Sequence, residues 1–179
     1  FGGYHWLSGA HVPDNRVAKG GLGLQWQAYR SEPISVKVGV GGLMSAHERN
    51  LGSFTLGHGG YFSPQLFARA GVPIELNGSH RGLNWGVNAD LGFNWFRTEE
   101  TAYYPLDGEL QALKVSQRTM MEDPESSAVV FPEREEYAFA LNARVHLAYQ
   151  IIDELAIGVR ADIHTGADYE ELSGGMFLK

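Results

Sequence analysis

The chain has 179 residues, a formal net charge of -7, 44% hydrophobic residues, 23 glycines and no cysteine. A single domain's length, an acidic balance without a basic block and the lack of thiols argue against nucleic-acid binding, a disulfide scaffold and a thiolate metal site. Mean hydropathy is -0.22, and no run approaches the roughly 20 apolar residues that a membrane helix needs.

Residues 1–7 read as a strand, and residues 10–15 as a long connection rich in turn formers. In residues 17–29, Leu22, Leu24 and Trp26 alternate with Gly21, Gly23, Gln25 and Gln27, the period of two that marks a strand. A tight turn at Ser31-Glu32-Pro33 leads to a noisier strand at 34–40, then to a long connection at 47–65. Residues 66–76 are again strand-like and end in a tight connection at 77–81. The clearest segment is 82–96, where Leu83, Trp85, Val87, Ala89, Leu91, Phe93 and Trp95 face one way. Gly82, Asn84, Gly86, Asn88, Asp90, Gly92 and Asn94 face the other. The long connection 98–136 gathers much of the acidity, and its Asp123-Pro124-Glu125 reads as turn or disorder. The dyad returns at 137–151 and, after a tight turn at 152–154, at 155–164, and 172–179 completes about eight strands.

A soluble sandwich would bury the apolar face and wet the polar one. Three features favour a membrane instead. Several strands span 10 to 15 residues, against about 5 or 6 in soluble sheets and 9 to 11 for a tilted transmembrane strand. Aromatic residues stand near strand ends (Trp26 and Tyr29, Trp85 and Trp95, Tyr137 and Tyr149), like the girdles at bilayer interfaces. The polar rows carry Gly, Asn, Arg, Asp and His rather than the Lys and Glu of a soluble exterior. The expected fold is all-β, an antiparallel transmembrane β-barrel. Short and long connections alternate, as they do between the periplasmic and outer ends of such barrels.

The wet face then carries Gln25, Gln27, Tyr29, Lys37, Phe67, Arg69, Glu75, Asn84, Asn88, Asp90, Asn94, Asn142, Arg144, His146, Arg160, Asp162 and His164. Its charged members read readily as ion pairs bracing the wall, since Arg144, Arg160 and Asp162 lie on adjacent strands.

One stretch breaks the dyad: Gly57, His58, Gly59, Gly60, Tyr61, Phe62, Ser63, Pro64 and Gln65. By chemistry alone it is a compact loop whose glycines permit close backbone approach. With Phe54-Thr55-Leu56 before it and Gly71-Val72-Pro73 after it, the stretch resembles the signature of the C-terminal domain of the bacterial cellulose synthase operon protein C. Val12-Pro13-Asp14-Asn15-Arg16-Val17, Tyr104-Pro105-Leu106 and Asp168-Tyr169 extend the resemblance over nearly the whole chain.

The resemblance implies a bacterial outer-membrane porin with a sixteen-stranded barrel, of which this chain would supply the C-terminal half. Periplasmic tetratricopeptide repeats, absent here, would precede it and link it to the inner-membrane cellulose synthase complex. Such a porin passes a β-1,4-glucan out of the cell. Residues 57–65 would then form an external gating or constricting loop, with lipid outside the barrel and glucan within. Tyr29, Phe67, Arg69, Asn84, Asn88, Asp90, Arg144, His146, Arg160 and Asp162 would touch the polymer in the lumen. Neither catalysis, cofactor, metal nor nucleic acid is expected.

Two other classes compete: a small closed barrel with a structural or adhesive role, and an outer-membrane enzyme. A base at His58 with Ser63 nearby matches no nucleophile-elbow spacing. His146 and His164 could form a metal pair, without a third ligand in sight. Phe1-Gly2-Gly3-Tyr4-His5-Trp6 opens inside a strand with no leader. Residues 173–179 resemble an outer-membrane insertion signal that stops short of its last aromatic position. Both ends read as those of a fragment.

Overall fold

The structure, a computed structural model, describes residues 1–120, 128–166 and 170–179. Asp123-Pro124-Glu125 and Asp168-Tyr169 lie outside these residues. The elements in chain order are β1 (Gly2–Gly9), β2 (Val12–Ser31), β3 (Ile34–His47), β4 (Leu66–His80), β5 (Leu83–Thr98), β6 (Thr101–Ala102), α1 (Gly108–Met120), β7 (Val130–Phe131), β8 (Arg134–Ile152), β9 (Leu155–Thr165) and β10 (Glu170–Leu178).

Among the described residues, one sheet runs in the order β1-β2-β3-β4-β5-β8-β9-β10, so each strand pairs with its neighbours along the chain. Its two determined outer pairings and the β8–β9 pairing are antiparallel. β1 and β10 stand at the two ends of that order, so the sheet is open rather than closed on itself. The two-residue β6 and β7 make a separate small sheet. No helix of the described residues is long and apolar enough to cross a membrane.

Several connections differ from their sequence reading. Residues 10–15 are not a long loop: Ala10 and His11 form the turn, with His11 at φ 61, and β2 starts at Val12. The connection assigned to 77–81 shrinks to Arg81 and Gly82, at φ 50 and 83. Positive φ at both central positions is the two-residue turn that matches strand twist, so β4 continues to His80. The connection 98–136 contains a helix. Asp107 caps it, accepting from the backbone N–H of Glu109 (3.1 Å) and Leu110 (2.9 Å). No residue of α1 is fully buried, and the side that it turns inward, Leu110, Gln111, Lys114 and Arg118, is half-buried and mostly polar, so it leaves no apolar stripe to detect.

The chain divides into two compact units. Unit 1 comprises Phe1–Gly20, Met44–Ala68 and Trp95–Glu136, and unit 2 comprises Gly21–Leu43, Arg69–Asn94 and Tyr137–Lys179. Unit 1 holds most of the buried side chains, among them Asn15, Val17, Leu51, Ser63, Pro64 and Phe96.

Unit 2 is a two-faced sheet with little buried. Leu22, Leu24, Val40, Phe93, Val145, Leu147, Val159 and Met176 are all exposed. Register puts Leu147 opposite Val159 and Val159 opposite Met176, so these three make one apolar row across three strands. Phe93 and Phe139 meet edge to face at 5.7 Å, placing the apolar rows of β5 and β8 on one side.

Candidate functional site

The other face of unit 2 carries cross-strand pairs. Lys37 Nζ donates to Glu75 Oε1 at 3.1 Å, and Asn77 Nδ2 donates to the same oxygen at 2.7 Å. Arg69 pairs with Asp90 and donates through Nη1 to Asn94 Oδ1 at 3.0 Å. Asp162 is buried between two arginines: Arg144 pairs with Oδ1, and Arg160 Nε lies 3.1 Å from Oδ2. His164 Nδ1 and Asn142 Oδ1 are 2.9 Å apart. Glu75, Asp90 and Asp162 each have a cation, so every carboxylate of these pairs is compensated, and one positive charge is left over because Arg144 and Arg160 share Asp162. Paired charges at a wet surface contribute little stability; their effect is to fix side-chain positions.

Cavities among the described residues open on this face. Gln25, Glu75, Asn88, Asp90, Arg144 and Asp162 help line one of about 290 Å³. Asn84, His146, Gln150 and Phe177 help line another of about 440 Å³. Most of the residues singled out in the sequence are therefore brought together: Asn88, Asp90, Arg144 and Asp162 at the first cavity, Asn84 and His146 at the second. Arg69 and Arg160 join through their carboxylate partners. Tyr29 stands half-exposed near the end of β2 and lines neither. Phe67 belongs to unit 1, where its ring meets Phe62 at 5.8 Å.

The histidines are not brought together. His164 stands opposite Asn142 and His146 opposite Arg160, four residues apart along β8, or about 13 Å at the usual rise.

In unit 1 the segment 48–65 folds into a packed cap. Asn15, wholly buried, uses every hydrogen-bonding position of its amide. Its Nδ2 donates to the Arg49 carbonyl (3.0 Å) and the Tyr61 hydroxyl (2.9 Å). Its Oδ1 accepts from the N–H of Arg16 (2.9 Å) and Arg49 (3.0 Å). Ser63 Oγ accepts from Leu51 N–H at 2.8 Å and donates to the Tyr61 carbonyl at 3.1 Å. Gly59 and Gly60 both donate to the Leu51 carbonyl, at 3.1 and 3.0 Å. Two glycines have physical reasons to be there. Gly57 sits at φ 92 with Pro105 against it, and a side chain at Gly59 would run into the Tyr61 ring.

Phe62 packs edge-on against Phe67 and against Phe96 (5.1 Å). The segment therefore turns back onto the side of the strands that bears Phe96. Thr55 Oγ1 donates to the Tyr103 carbonyl at 2.7 Å, and His58 Nε2 donates to the Ala102 carbonyl at 2.9 Å. Gln65 Oε1 accepts from Glu99 N–H at 2.8 Å. Three stretches that carried the family resemblance, at 12–17, 57–65 and 104–106, thus meet in one unit.

His58 is buried with Nε2 committed to a carbonyl, and its ring edge meets Phe131 at 5.3 Å. No hydroxyl or carboxylate partners its Nδ1, so the arrangement is that of a packing residue. His47 ends β3, with its N–H (3.0 Å) and Nδ1 (3.1 Å) on the Pro64 carbonyl. Burial holds its imidazole below the ordinary histidine range, partly opposed by that carbonyl. The neutral ring is the form that the folded cap favours, so this contribution is lost as pH falls below the unfolded value.

Sequence reading missed Asn15 as a site residue. The available signal was its place within the stretch 12–17 that carries the family resemblance.

The family model described as Cellulose synthase operon protein C C-terminus matches residues 1–179. A cellulose synthase operon protein C of Xanthomonas axonopodis pv. citri (strain 306) is 31% identical over 196 residues, covering 99% of this chain and 12% of that protein. One from Komagataeibacter xylinus is 38% identical over 113 residues, covering 63% of this chain and 9% of its own length. One from Pseudomonas fluorescens (strain SBW25) is 27% identical over 175 residues, with 98% and 13% covered. The chain spans between 9% and 13% of these relatives.

Proposed function

The chain belongs to the cellulose synthase operon protein C C-terminus family, and we propose that it forms part of the wall of an outer-membrane porin that exports a β-1,4-glucan. The observation that carries this reading is the two-faced sheet of unit 2. Strands of 9 to 20 residues expose apolar rows on one face, as lipid contact requires. On the other face, carboxylates each paired with a cation, amides and one surplus arginine charge lie around a polar cavity. A conduit must hold its cargo weakly enough to let it move. A wall of paired charges and amides offers a neutral polysaccharide many hydrogen bonds and no strong one.

The open sheet supports membership in a larger barrel, because β1 and β10 are exposed along nearly their whole length. We take sixteen strands as the closed form, with periplasmic repeats before it that reach the inner-membrane synthase. Residues 57–65, folded onto the side of Phe67 and Phe96, narrow the exit as a constricting loop. The wall groups, including Asn84, Asn88, Arg144 and His146, meet the glucan, and none has a catalytic role.

Export tests the function directly. In cells whose native gene lacks the segment encoding 1–179, cellulose is expected to disappear from the medium and collect in the periplasm, and the intact gene restores secretion. Undiminished secretion without the segment would contradict the proposal.

A further inference from the structure

We propose that Phe54 is a stacking platform for the flat faces of a β-linked glucan chain, an inference that rests on the export reading above. Phe54 is 92% exposed, more than any other large apolar side chain described. A bare phenyl ring in water forgoes the burial that usually stabilises it; Leu56 and Phe62 of the same segment are also exposed, though less so.

The backbone on both sides of the ring is tied down. On its N-terminal side the Ser53 carbonyl accepts from Gly60 N–H at 3.1 Å. On its C-terminal side Thr55 is tied to Tyr103 through its hydroxyl and to His58 N–H through its carbonyl (2.9 Å). The edge of the ring rests on Gly60, at φ 66, where an added Cβ would come within 2.7 Å of Phe54 Cε1. Glycine at position 60 thus serves both the turn and the ring.

The composition of the segment fits an uncharged ligand. Residues 51–65 contain no Asp, Glu, Lys or Arg, although the chain as a whole carries 21 acids. Each pyranose ring of a β-1,4-glucan directs its hydroxyls to the rim and its axial C–H groups to the two faces. Those C–H groups are apolar and slightly positive, the complement of the negative face of an aromatic ring. A ring carried on a hydrogen-bonded backbone is ordered at less cost than one on a loose loop, and a single stacking contact stays weak enough for release.

The test is saturation-transfer difference NMR on the full gene product in zwitterionic detergent, with cellohexaose as probe and maltohexaose as control. Phe54→Tyr and Phe54→Trp are expected to keep transfer to the axial ring protons, whereas Phe54→Leu cuts it at least about three-fold at similar hydrophobicity. Gly60→Ala, which displaces the ring, is expected to reduce it as well. Heat-modifiable migration on gels confirms that each variant remains folded. Transfer undiminished in Phe54→Leu, no transfer in the unaltered protein, or equal transfer to maltohexaose would each overturn the platform. The secretion assay judges the export function separately, so failure here leaves that reading standing.

Discussion

Replacing Asn15 by leucine is expected to open the cap of unit 1. The substitution removes two donors and two acceptor positions at once from a wholly buried site. The N–H groups of Arg16 and Arg49, the Arg49 carbonyl and the Tyr61 hydroxyl lose their partner where water has no ready access. Each orphaned buried group costs about 1–3 kcal/mol, so a loss of about 3 kcal/mol or more is expected even after local relaxation. Asn15→Asp is the sharper variant. It keeps the acceptors for Arg16 and Arg49 N–H but turns an oxygen toward the Arg49 carbonyl. Hydrogen exchange measured in the full gene product should show residues 48–65 losing protection in both variants. Protection of that segment equal to the unaltered protein would rule out the clamp.

Gly39→Val carries the second large effect, by a different mechanism. A Cβ at this buried position of β3 would lie 2.5 Å from the Leu24 carbonyl oxygen, 3.0 Å from Pro73 Cγ and 3.4 Å from Gln25 Cα. The nearest obstacle is backbone, which cannot rotate away as a side-chain tip can. β2 and β3 must separate locally or the side chain must strain, at about 3 kcal/mol. Gly175→Ala in β10 is the matched control, since nothing lies within 4 Å of its added Cβ. Urea titration of the full gene product reconstituted in lipid vesicles should place the Gly39→Val midpoint clearly below that of Gly175→Ala. Coincident midpoints would show that the β2–β3 approach is not as close as described.

These two sites differ in how far the sequence reveals them. Alternation is local, so Leu91 and Phe93 disclose their exposed face from a few neighbours, and Arg144, Arg160 and Asp162 disclose their pairing once adjacent strands are assigned. Asn15 depends on Tyr61, 46 positions away. Pro13, Asp14 and Asn15 are poor strand formers that read as loop, and only the cap folded over them explains why they extend β2. The turn at Arg81-Gly82 lacks the Asn-Gly signature of its type, and Ala10-His11 has a positive φ at His11 alone, so neither turn is marked in the sequence by a recognisable pair. α1 escaped notice for want of a buried stripe, although Asp107 at its cap was a visible start signal. Phe54 stands in the sequence only as a residue before the 57–65 stretch, and its exposure is a property of the folded segment.

The central claim is that unit 2 puts lipid on one face and water on the other, and labelling of single cysteines tests it most directly. This chain has no cysteine of its own, so Leu24→Cys, Phe93→Cys and Val145→Cys report one face, and Asn84→Cys, Asn88→Cys and Asn142→Cys the other. The full gene product, with any other cysteine replaced, would be reconstituted into vesicles. A charged, water-soluble maleimide is expected to modify the second group and spare the first, while a lipid-soluble maleimide shows the reverse. Modification of Leu24→Cys, Phe93→Cys and Val145→Cys by the charged reagent as fast as the asparagine positions would contradict the account.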